Sequence, residues 1–167
     1  MNIQLRPWTL SDLSRLVALA NNPKIASFLT DEFPYPYEEQ HGRKFLDMVT
    51  SANPVNVMAI TLHGEVVGAI GVHPKSGIER RNAELGYWIG EEYWGRGLGT
   101  SAIRQMVNYA FSTFPIHRIF ARPFGNNPAS QRILEKAGFT LEARFEGTLI
   151  KHEVVLDELH YAIRRMK

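Results

Sequence analysis

Three glycines, Gly95, Gly97 and Gly99, occupy alternate positions directly before a segment with the pattern of a helix. The first amides of a helix have no partner inside the helix and carry the positive end of its macrodipole. Glycines beside them remove the Cβ atoms that would hold an anion away, so a phosphate can approach the backbone closely. The spacing matches neither a Walker A loop nor GxGxxG. The segment therefore indicates an anion-binding loop; the alternative, a tight turn between a strand and a helix, needs only one glycine.

A carboxylate and a serine are further polar side chains with a capacity for chemistry. Glu84 interrupts the apolar segment NAELGYWIG and is a candidate general base; an exposed glutamate on an edge strand is the alternative. In the segment NPAS, Asn127 suits a helix N-cap and Pro128 suits the first helical position. Asn127 can contact a ligand as well as cap the helix. No histidine and aspartate are spaced to activate Ser130, so we do not expect covalent catalysis by this serine.

The composition narrows the class of protein. The 167 residues are 44% hydrophobic and 22% charged, which predicts one globular domain over residues 1–167. A net charge of +2 without a basic run argues against a nucleic-acid partner. The apolar segments are too short to span a membrane, and the N-terminus lacks the pattern of a secretory signal. There is no cysteine, and the six histidines form no HExxH or i,i+4 pair, so we predict no metal site and a cytoplasmic location.

The first half of the chain predicts a strand, helices and a β-hairpin. NIQLRPW predicts a short strand, and Thr9 with Asp12 forms a capping-box pattern before a helix that extends to about Ala20. NNPKIASFL predicts a short helix, TDEFPYPYEE a loop, and residues 38–50 a further helix. VNVMAITL and VVGAIGVHP, separated by HGE, predict a β-hairpin.

The second half predicts an alternation of strands and helices. NAELGYWIG and HRIFARPF predict strands on either side of a helix with one apolar face between Ile103 and Phe114. NPASQRILEKAGF predicts a helix that Gly138 ends, and two strands joined by KHE follow. The strand–helix–strand unit from about Ala83 to Phe124 requires a right-handed crossover and a parallel pair. We therefore predict an α/β domain with a mixed sheet.

The glycine loop resembles the [QR]-x-x-G-x-[GA] motif of the GNAT superfamily of acetyl-CoA-dependent N-acetyltransferases. In WGRGLG, Gly97 and Gly99 match the last motif positions, and Trp94 replaces the usual Gln or Arg. ELGYWIGEEYWGRGLGT, HRI and NPASQRILEKAGF are similar to the RimJ/RimL-type branch, whose members acetylate protein N-termini. The resemblance extends from about Asn82 to Arg164.

The resemblance implies the GNAT fold, a mixed and mostly antiparallel sheet with a splayed parallel strand pair, flanked by helices. It also implies acetyl-CoA as co-substrate. The CoA pyrophosphate is expected on the glycine loop, formed by Gly95, Arg96, Gly97, Leu98, Gly99 and Thr100. The pantetheine arm is expected on the strand backbone at Trp88, Ile89 and Gly90, in the gap between the splayed strands. Asn127 and Ser130 match positions that face the pantetheine and the thioester.

The reaction needs a neutral amine, a donor for the developing oxyanion and a proton for the leaving thiolate. By resemblance, Glu84 is the base through water, and the amide of Trp88 polarises the acetyl carbonyl. Leu134 stands where many relatives have a tyrosine acid, so Ser130 is expected to donate to the thiolate or to hold a water. We expect direct transfer in a ternary complex.

Several alternatives stay open. The acceptor is a protein or peptide N-terminus or a small amine such as a polyamine, an antibiotic or an amino acid. A CoA-binding sensor without turnover and a nucleotide-binding protein are further interpretations, and the protein is a monomer or a homodimer. Tyr161, Asp157 and the TDEFPYPY loop could face an acceptor cleft, although core packing and turn support explain them equally well.

Overall fold

The computed structural model describes residues 2–167. The described chain forms seven strands and five helices in the order β1 (Ile3–Pro7), α1 (Leu13–Ala20), α2 (Pro23–Ala26), α3 (Glu39–Ser51), β2 (Val57–Leu62), β3 (Glu65–Pro74), β4 (Asn82–Ile89), α4 (Leu98–Thr113), β5 (Arg118–Ala121), α5 (Pro128–Lys136), β6 (Thr140–Lys151) and β7 (Val154–Arg164). Among the described helices, none has the length and apolar character needed to span a membrane.

The strands form one sheet in the order β1-β2-β3-β4-β5-β7-β6. Neighbouring strands are antiparallel except for β4 and β5, which are parallel and joined through α4. The predicted fold, a mixed and mostly antiparallel sheet with one parallel pair and flanking helices, is therefore confirmed.

Local sequence signals set the ends of several helices. Thr9 and Asp12 form the predicted capping box ahead of α1. The Asn127 side chain accepts a hydrogen bond from the Ser130 amide and caps α5, with Pro128 in the first turn. Gly138 ends this unit with a φ of +100°, a conformation that costs glycine little.

The two faces of the sheet carry separate apolar clusters. Helices α4 and α5 cover one face, where Ile103, Met106 and Leu134 are fully buried. Helices α1 and α3 cover the other face, where Leu16 and Leu46 are buried. We call these the α4/α5 face and the α1/α3 face.

The parallel pair separates soon after it forms. β4 pairs with β5 only at Asn82, Ala83 and Glu84, although β4 continues to Ile89. β5 ends at Ala121, three residues earlier than the predicted strand HRIFARPF. The chain then follows β7, because the Leu159 amide donates to Pro123 O at 3.2 Å and the Gly125 amide donates to Asp157 O at 2.9 Å. The predicted gap between splayed parallel strands is therefore present beside residues 85–89.

Candidate active site

The glycine loop has the backbone conformation expected of an anion cradle. Gly95 and Gly97 have φ values of +74° and +75°, and a Cβ added to either residue would meet no other atom within 4 Å. Gly97 is the N-cap of the 16-residue helix α4. The loop thus leaves open space next to the first amides of α4, which have no partner inside the helix. Gly99 has a different role, since an added Cβ would lie 3.2 Å from Ile133 Cγ2; its missing side chain lets α4 approach α5.

Two side chains tie this loop to its surroundings. The Trp94 indole Nε1 donates to Ile89 O at 2.7 Å, so the residue that replaces Gln or Arg in the motif anchors the loop to the end of β4. Arg96 donates to Glu92 O at 2.9 Å, and its guanidinium lies 5.4 Å from the centre of the Tyr93 ring. The Arg96 charge is therefore held at the loop.

The hydrogen-bond phase of β4 determines which of its amides face the gap. The Gly90 amide donates to Val67 O at 2.8 Å, so Gly90 bonds toward β3. In contrast, Arg81 O accepts from the His117 amide at 2.7 Å, so Arg81 bonds toward β5. Because the bonding direction alternates along a strand, even-numbered residues bond toward β3 and odd-numbered residues face β5 and the gap.

This alternation indicates which of the expected strand contacts on β4 face the gap. Trp88 lies opposite Ala69 in an unbroken register, so the alternation directs its amide to β3 and not to the gap. The Gly90 amide is likewise occupied. Tyr87 and Ile89 are the residues whose amides face the gap, and of the predicted strand contacts Ile89 keeps its position there. The sequence shows the alternation of side chains, but the bonding direction depends on the register with β3.

The same alternation divides the β4 side chains between the two faces. Leu85 and Ile89 pack in the α4/α5 cluster, together with Tyr87. Trp88 packs against the α1/α3 cluster, with its ring centre 6.0 Å from that of Phe33. Gly86 points to this α1/α3 face, where a Cβ would have no neighbour within 4 Å. The space above Gly86, between Glu84 and Trp88, is therefore open.

The carboxylate of Glu84 is held between two cations. Its Oε1 accepts from Arg122 Nε at 2.7 Å, and its Oε2 accepts from Lys75 Nζ at 3.1 Å. Burial raises the pKa of Glu84, but the hydrogen bonds from Arg122 and Lys75 outweigh it, so the net pKa is lower than usual. Arg122 Nη1 also lies 3.5 Å from Glu158 Oε1, and His160 Nε2 lies within hydrogen-bond distance of the same Glu158 oxygen, at 2.7 Å. The predicted base is thus an ionised carboxylate within a network of charges.

Ser130 has a partner that the sequence analysis missed. Its Oγ lies 2.8 Å from the hydroxyl oxygen of Tyr87 on β4. Burial raises the pKa of Tyr87 to about 12, against the lowering effect of the hydrogen bond with Ser130. Leu134, at the position where a tyrosine acid was considered, is fully buried in the core. The β4 alternation, with Tyr87 between Leu85 and Ile89, was the signal that could have placed this phenol on the side of α5.

Other candidate residues have structural partners. The Tyr161 hydroxyl donates to Glu135 Oε1 at 3.0 Å, and its ring is buried in the α4/α5 cluster. Asp157 accepts from the Gly147 amide at 2.9 Å and pairs with Arg144, so it supports the β6–β7 hairpin. Within the TDEFPYPY loop, Phe33 contacts Trp88, and Asp31 pairs with Lys151 at 2.8 Å. Of these candidates, the loop is the one that packs on the α1/α3 face, through the contact of Phe33 with Trp88. The described residues contain no group of three or more His, Cys, Asp or Glu side chains suited to a metal ion.

Comparisons with known proteins agree with this architecture. The model of the acetyltransferase (GNAT) domain family matches residues 2–140. The chain therefore belongs to the GNAT acetyltransferase family, as the sequence predicted. The matched region contains the glycine loop, Glu84 and Ser130.

Individual relatives cover different parts of the chain. The Bacillus subtilis (strain 168) protein named uncharacterized N-acetyltransferase YoaA is 36% identical over 99 residues, which are 59% of this chain and 55% of that protein. The chain thus spans about half the length of this relative. Spermidine N(1)-acetyltransferase of Escherichia coli (strain K12) is 26% identical over 164 residues, covering 98% of this chain and 84% of that enzyme. The structure of RimL, a ribosomal L7/L12 α-N-protein acetyltransferase in complex with coenzyme A, superposes with a TM-score of 0.86 at 20% identity, over 98% of this chain and 94% of that chain.

Proposed function

We propose that this chain is an acetyl-CoA-dependent N-acetyltransferase of the RimJ/RimL type. It transfers the acetyl group directly, in a ternary complex, to the α-amine at the N-terminus of a protein or peptide. The proposal includes a single GNAT domain over residues 1–167 and a cytoplasmic location, both inferred from the sequence. The family membership supports the reaction class, and the charge state of Glu84 supports the choice of acceptor.

The residues of the candidate site fit acetyl-CoA, which supplies the activated acetyl thioester. Open backbone at Gly95 and Gly97 beside the N-terminus of α4, with Arg96 held close, suits the pyrophosphate. The unpaired side of β4 at Tyr87 and Ile89 suits the amides of the pantetheine arm, which would extend the sheet as a strand does. Asn127 and Ser130, at the start of α5, complete the candidate binding residues.

The observation that carries the acceptor assignment is the double ion pair of Glu84. A carboxylate that accepts hydrogen bonds from Arg122 and Lys75 is a weak base, because both cations stabilise its ionised form. A weak base suits an acceptor that is already partly neutral. At pH 7 an α-amine with a pKa of about 7.8 is roughly 15% neutral, whereas a lysine with a pKa of about 10.4 is about 0.04% neutral.

A small amine is the second candidate, favoured by the match to spermidine N(1)-acetyltransferase over 98% of this chain. A polyamine carries several positive charges and needs unpaired carboxylates. Glu84 offers none, because a polyamine would first have to displace Arg122 and Lys75. The geometry therefore favours the α-amine. A sensor that binds CoA without turnover is the remaining interpretation.

The first experiment measures thermal unfolding with acetyl-CoA, CoA, ATP and NAD. A ligand at about 100 times its Kd stabilises the folded state by about 2.7 kcal/mol. We expect acetyl-CoA and CoA to raise the Tm, and ATP and NAD to leave it unchanged. A shift with ATP or NAD of equal size, or no shift with CoA, contradicts the cofactor assignment.

The second experiment compares three acceptors with acetyl-CoA. The first is a peptide with a free α-amine and no lysine, the second is the same peptide with a blocked α-amine and one internal lysine, and the third is spermidine. We expect turnover of the first peptide only. A preference for spermidine supports the small-amine alternative, and no turnover across a wider amine panel supports the sensor.

A further inference from the structure

We propose that Tyr87 is a positioning residue that orients the Ser130 hydroxyl toward the thioester sulphur. Ser130 then replaces the absent tyrosine of α5 as the donor to the leaving thiolate. The inference rests on the proposed acetyltransferase function and adds to it a pair of residues, Tyr87 on β4 and Ser130 at the start of α5.

The backbone of Ser130 is fixed by the helix cap, and its hydroxyl is fixed by Tyr87. Asn127 Oδ1 accepts from the Ser130 amide at 3.2 Å, which anchors the first turn of α5. The Ser130 Oγ lies 2.8 Å from the Tyr87 hydroxyl. A serine hydroxyl without a partner rotates among staggered positions, whereas one that accepts a hydrogen bond keeps its own proton free to donate in a defined direction.

Tyr87 is suited to donate in this pair. Burial of the phenol raises the pKa of Tyr87 to about 12, so the phenol keeps its proton at neutral pH. The Tyr87 amide faces the gap by the alternation of β4, and its side chain reaches the N-terminus of α5 on the α4/α5 face. The pair therefore joins β4 and α5 at the place where the gap is open.

Neither Leu134 nor Tyr161, the other candidates on or near α5, is placed to donate to the thiolate. Leu134 lies one turn after Ser130 and is fully buried. The Tyr161 hydroxyl donates to Glu135 at the other end of α5. Ser130 is thus the hydroxyl at the start of α5 that a phenol holds in place.

The proton balance of the transfer is simple. The C–S bond of the thioester breaks with its electron pair on sulphur, and the C–N bond to the amine forms. The amine loses one proton and the sulphur gains one. Ser130 gives its hydroxyl proton to the sulphur and takes a proton back from water, so it ends unchanged. The amine releases its proton to water at Glu84, and Tyr87 keeps its proton throughout.

The decisive measurement is the pKa of the thiol in enzyme-bound CoA, read from the ultraviolet absorbance of the thiolate. The ionisation of tyrosine is subtracted at the longer wavelength where phenolate alone absorbs. An ordinary thiol has a pKa of about 8.5. A hydrogen bond to the thiolate lowers this pKa, so we expect Tyr87→Phe and Ser130→Ala each to raise it by about one unit relative to the wild-type complex.

The double variant tests whether the two residues act as one device. Tyr87→Phe with Ser130→Ala should raise the thiol pKa no further than Ser130→Ala alone, since Tyr87 acts through Ser130. In turnover, Tyr87→Phe should lower kcat about 10-fold with KM for acetyl-CoA unchanged. Ser130→Thr retains the hydroxyl and should restore the wild-type thiol pKa. Tyr161→Phe is the matched control, because it removes a phenol that contacts α5 through Glu135 and should leave the thiol pKa unchanged.

An equal thiol pKa in the wild type and Tyr87→Phe overturns the inference, as does an additive double variant. If Tyr87→Phe does not fold, Ser130→Ala provides the test, because an unchanged thiol pKa in Ser130→Ala also overturns the inference. The titration uses CoA without an acceptor, so it separates this inference from the proposed function. Wild-type protein that acetylates no amine refutes the function, whatever the thiol titration shows.

Discussion

Substitution of Gly86 tests whether the acceptor reaches the reaction centre from the α1/α3 face. A Cβ at Gly86 would have no neighbour within 4 Å, and its flanking side chains on this face are Glu84 and Trp88. A valine or leucine here would fill the open space above the gap without touching the α4/α5 core. We therefore expect Gly86→Val and Gly86→Leu to exclude the acceptor while the fold and the CoA site stay intact.

The expected magnitudes follow from this geometry. A β-branched side chain has a higher strand propensity than glycine, on a scale that spans about 1 kcal/mol. The free energy of unfolding should therefore stay unchanged or rise. Displacing a reactant by about 1 Å costs roughly 100-fold in rate. We therefore expect kcat/KM for the acceptor to fall about 100-fold in Gly86→Leu and less in Gly86→Val. Gly86→Ala should have little effect, because one methyl group leaves most of the space open.

The assay measures three quantities on each variant: kcat/KM for the acceptor, Kd for CoA by calorimetry, and the Tm. The graded series from alanine to leucine provides its own control, since backbone effects of replacing glycine appear already in Gly86→Ala. Wild-type kcat/KM in Gly86→Leu would refute the reasoning, because the acceptor would then not use this space. A large loss of CoA affinity would instead assign the space to the cofactor.

Three other substitutions probe the glycine loop, the carboxylate and the first helix. Gly97→Ala should lower stability by about 1–2 kcal/mol, because the residue has a positive φ, and should also lower the affinity for CoA. Gly64→Ala is the control: it has a φ of +86° in the β2–β3 turn, so it should lose similar stability but keep the wild-type Kd for CoA by calorimetry. Glu84→Gln should lower kcat at all pH values, yet kcat/KM should still rise between about pH 6 and 8. The pKa of Glu84 is lowered, so this rise reports the deprotonation of the α-amine acceptor. Loss of the rise in the variant would make Glu84 the titrating group. Asp12→Asn should lower the free energy of unfolding by about 1–3 kcal/mol at pH 7, because the hydrogen bond from Arg6 lowers the pKa of Asp12 in the folded state. This stabilisation is present above the unfolded pKa of about 3.9 and is lost as the pH falls through the lower folded pKa. Denaturation curves of the wild type and the variant should therefore converge in acid.

Much of the fold could be predicted because its signals are local. Helix α4 shows one apolar face over several turns, and α5 carries its own start and stop signals at Asn127 and Gly138. The crossover rule then fixes β4 and β5 as a parallel pair. The end of β5 was predicted too late, because the chain after Ala121 follows β7 and not β4, and that choice depends on tertiary packing.

The site was less predictable, since its contacts join distant parts of the chain. Tyr87 and Ser130 are 43 residues apart, and Arg122 and Glu84 are 38 residues apart. The alternation along β4 assigns Tyr87 to the face that α5 covers, but no local pattern names the partner in either pair. The hydrogen-bond phase of β4 is set by its register with β3, so the sequence identified the strand that borders the gap but not which of its amides face the gap.

The position of Arg122 connects the charge network to the form of the acceptor. Its guanidinium contacts Glu84 from β4 and Glu158 from β7, so it spans the two sides of the gap on the α1/α3 face. An ammonium ion entering above Gly86 would meet a cation between carboxylates that are already paired, whereas a neutral amine would not be repelled. In the proposed reaction the site therefore selects the neutral form of the acceptor and removes its proton after attack. This selection favours the proposed α-amine acceptor, with a pKa of about 7.8, over a lysine with a pKa of about 10.4, because more of the α-amine is neutral at pH 7.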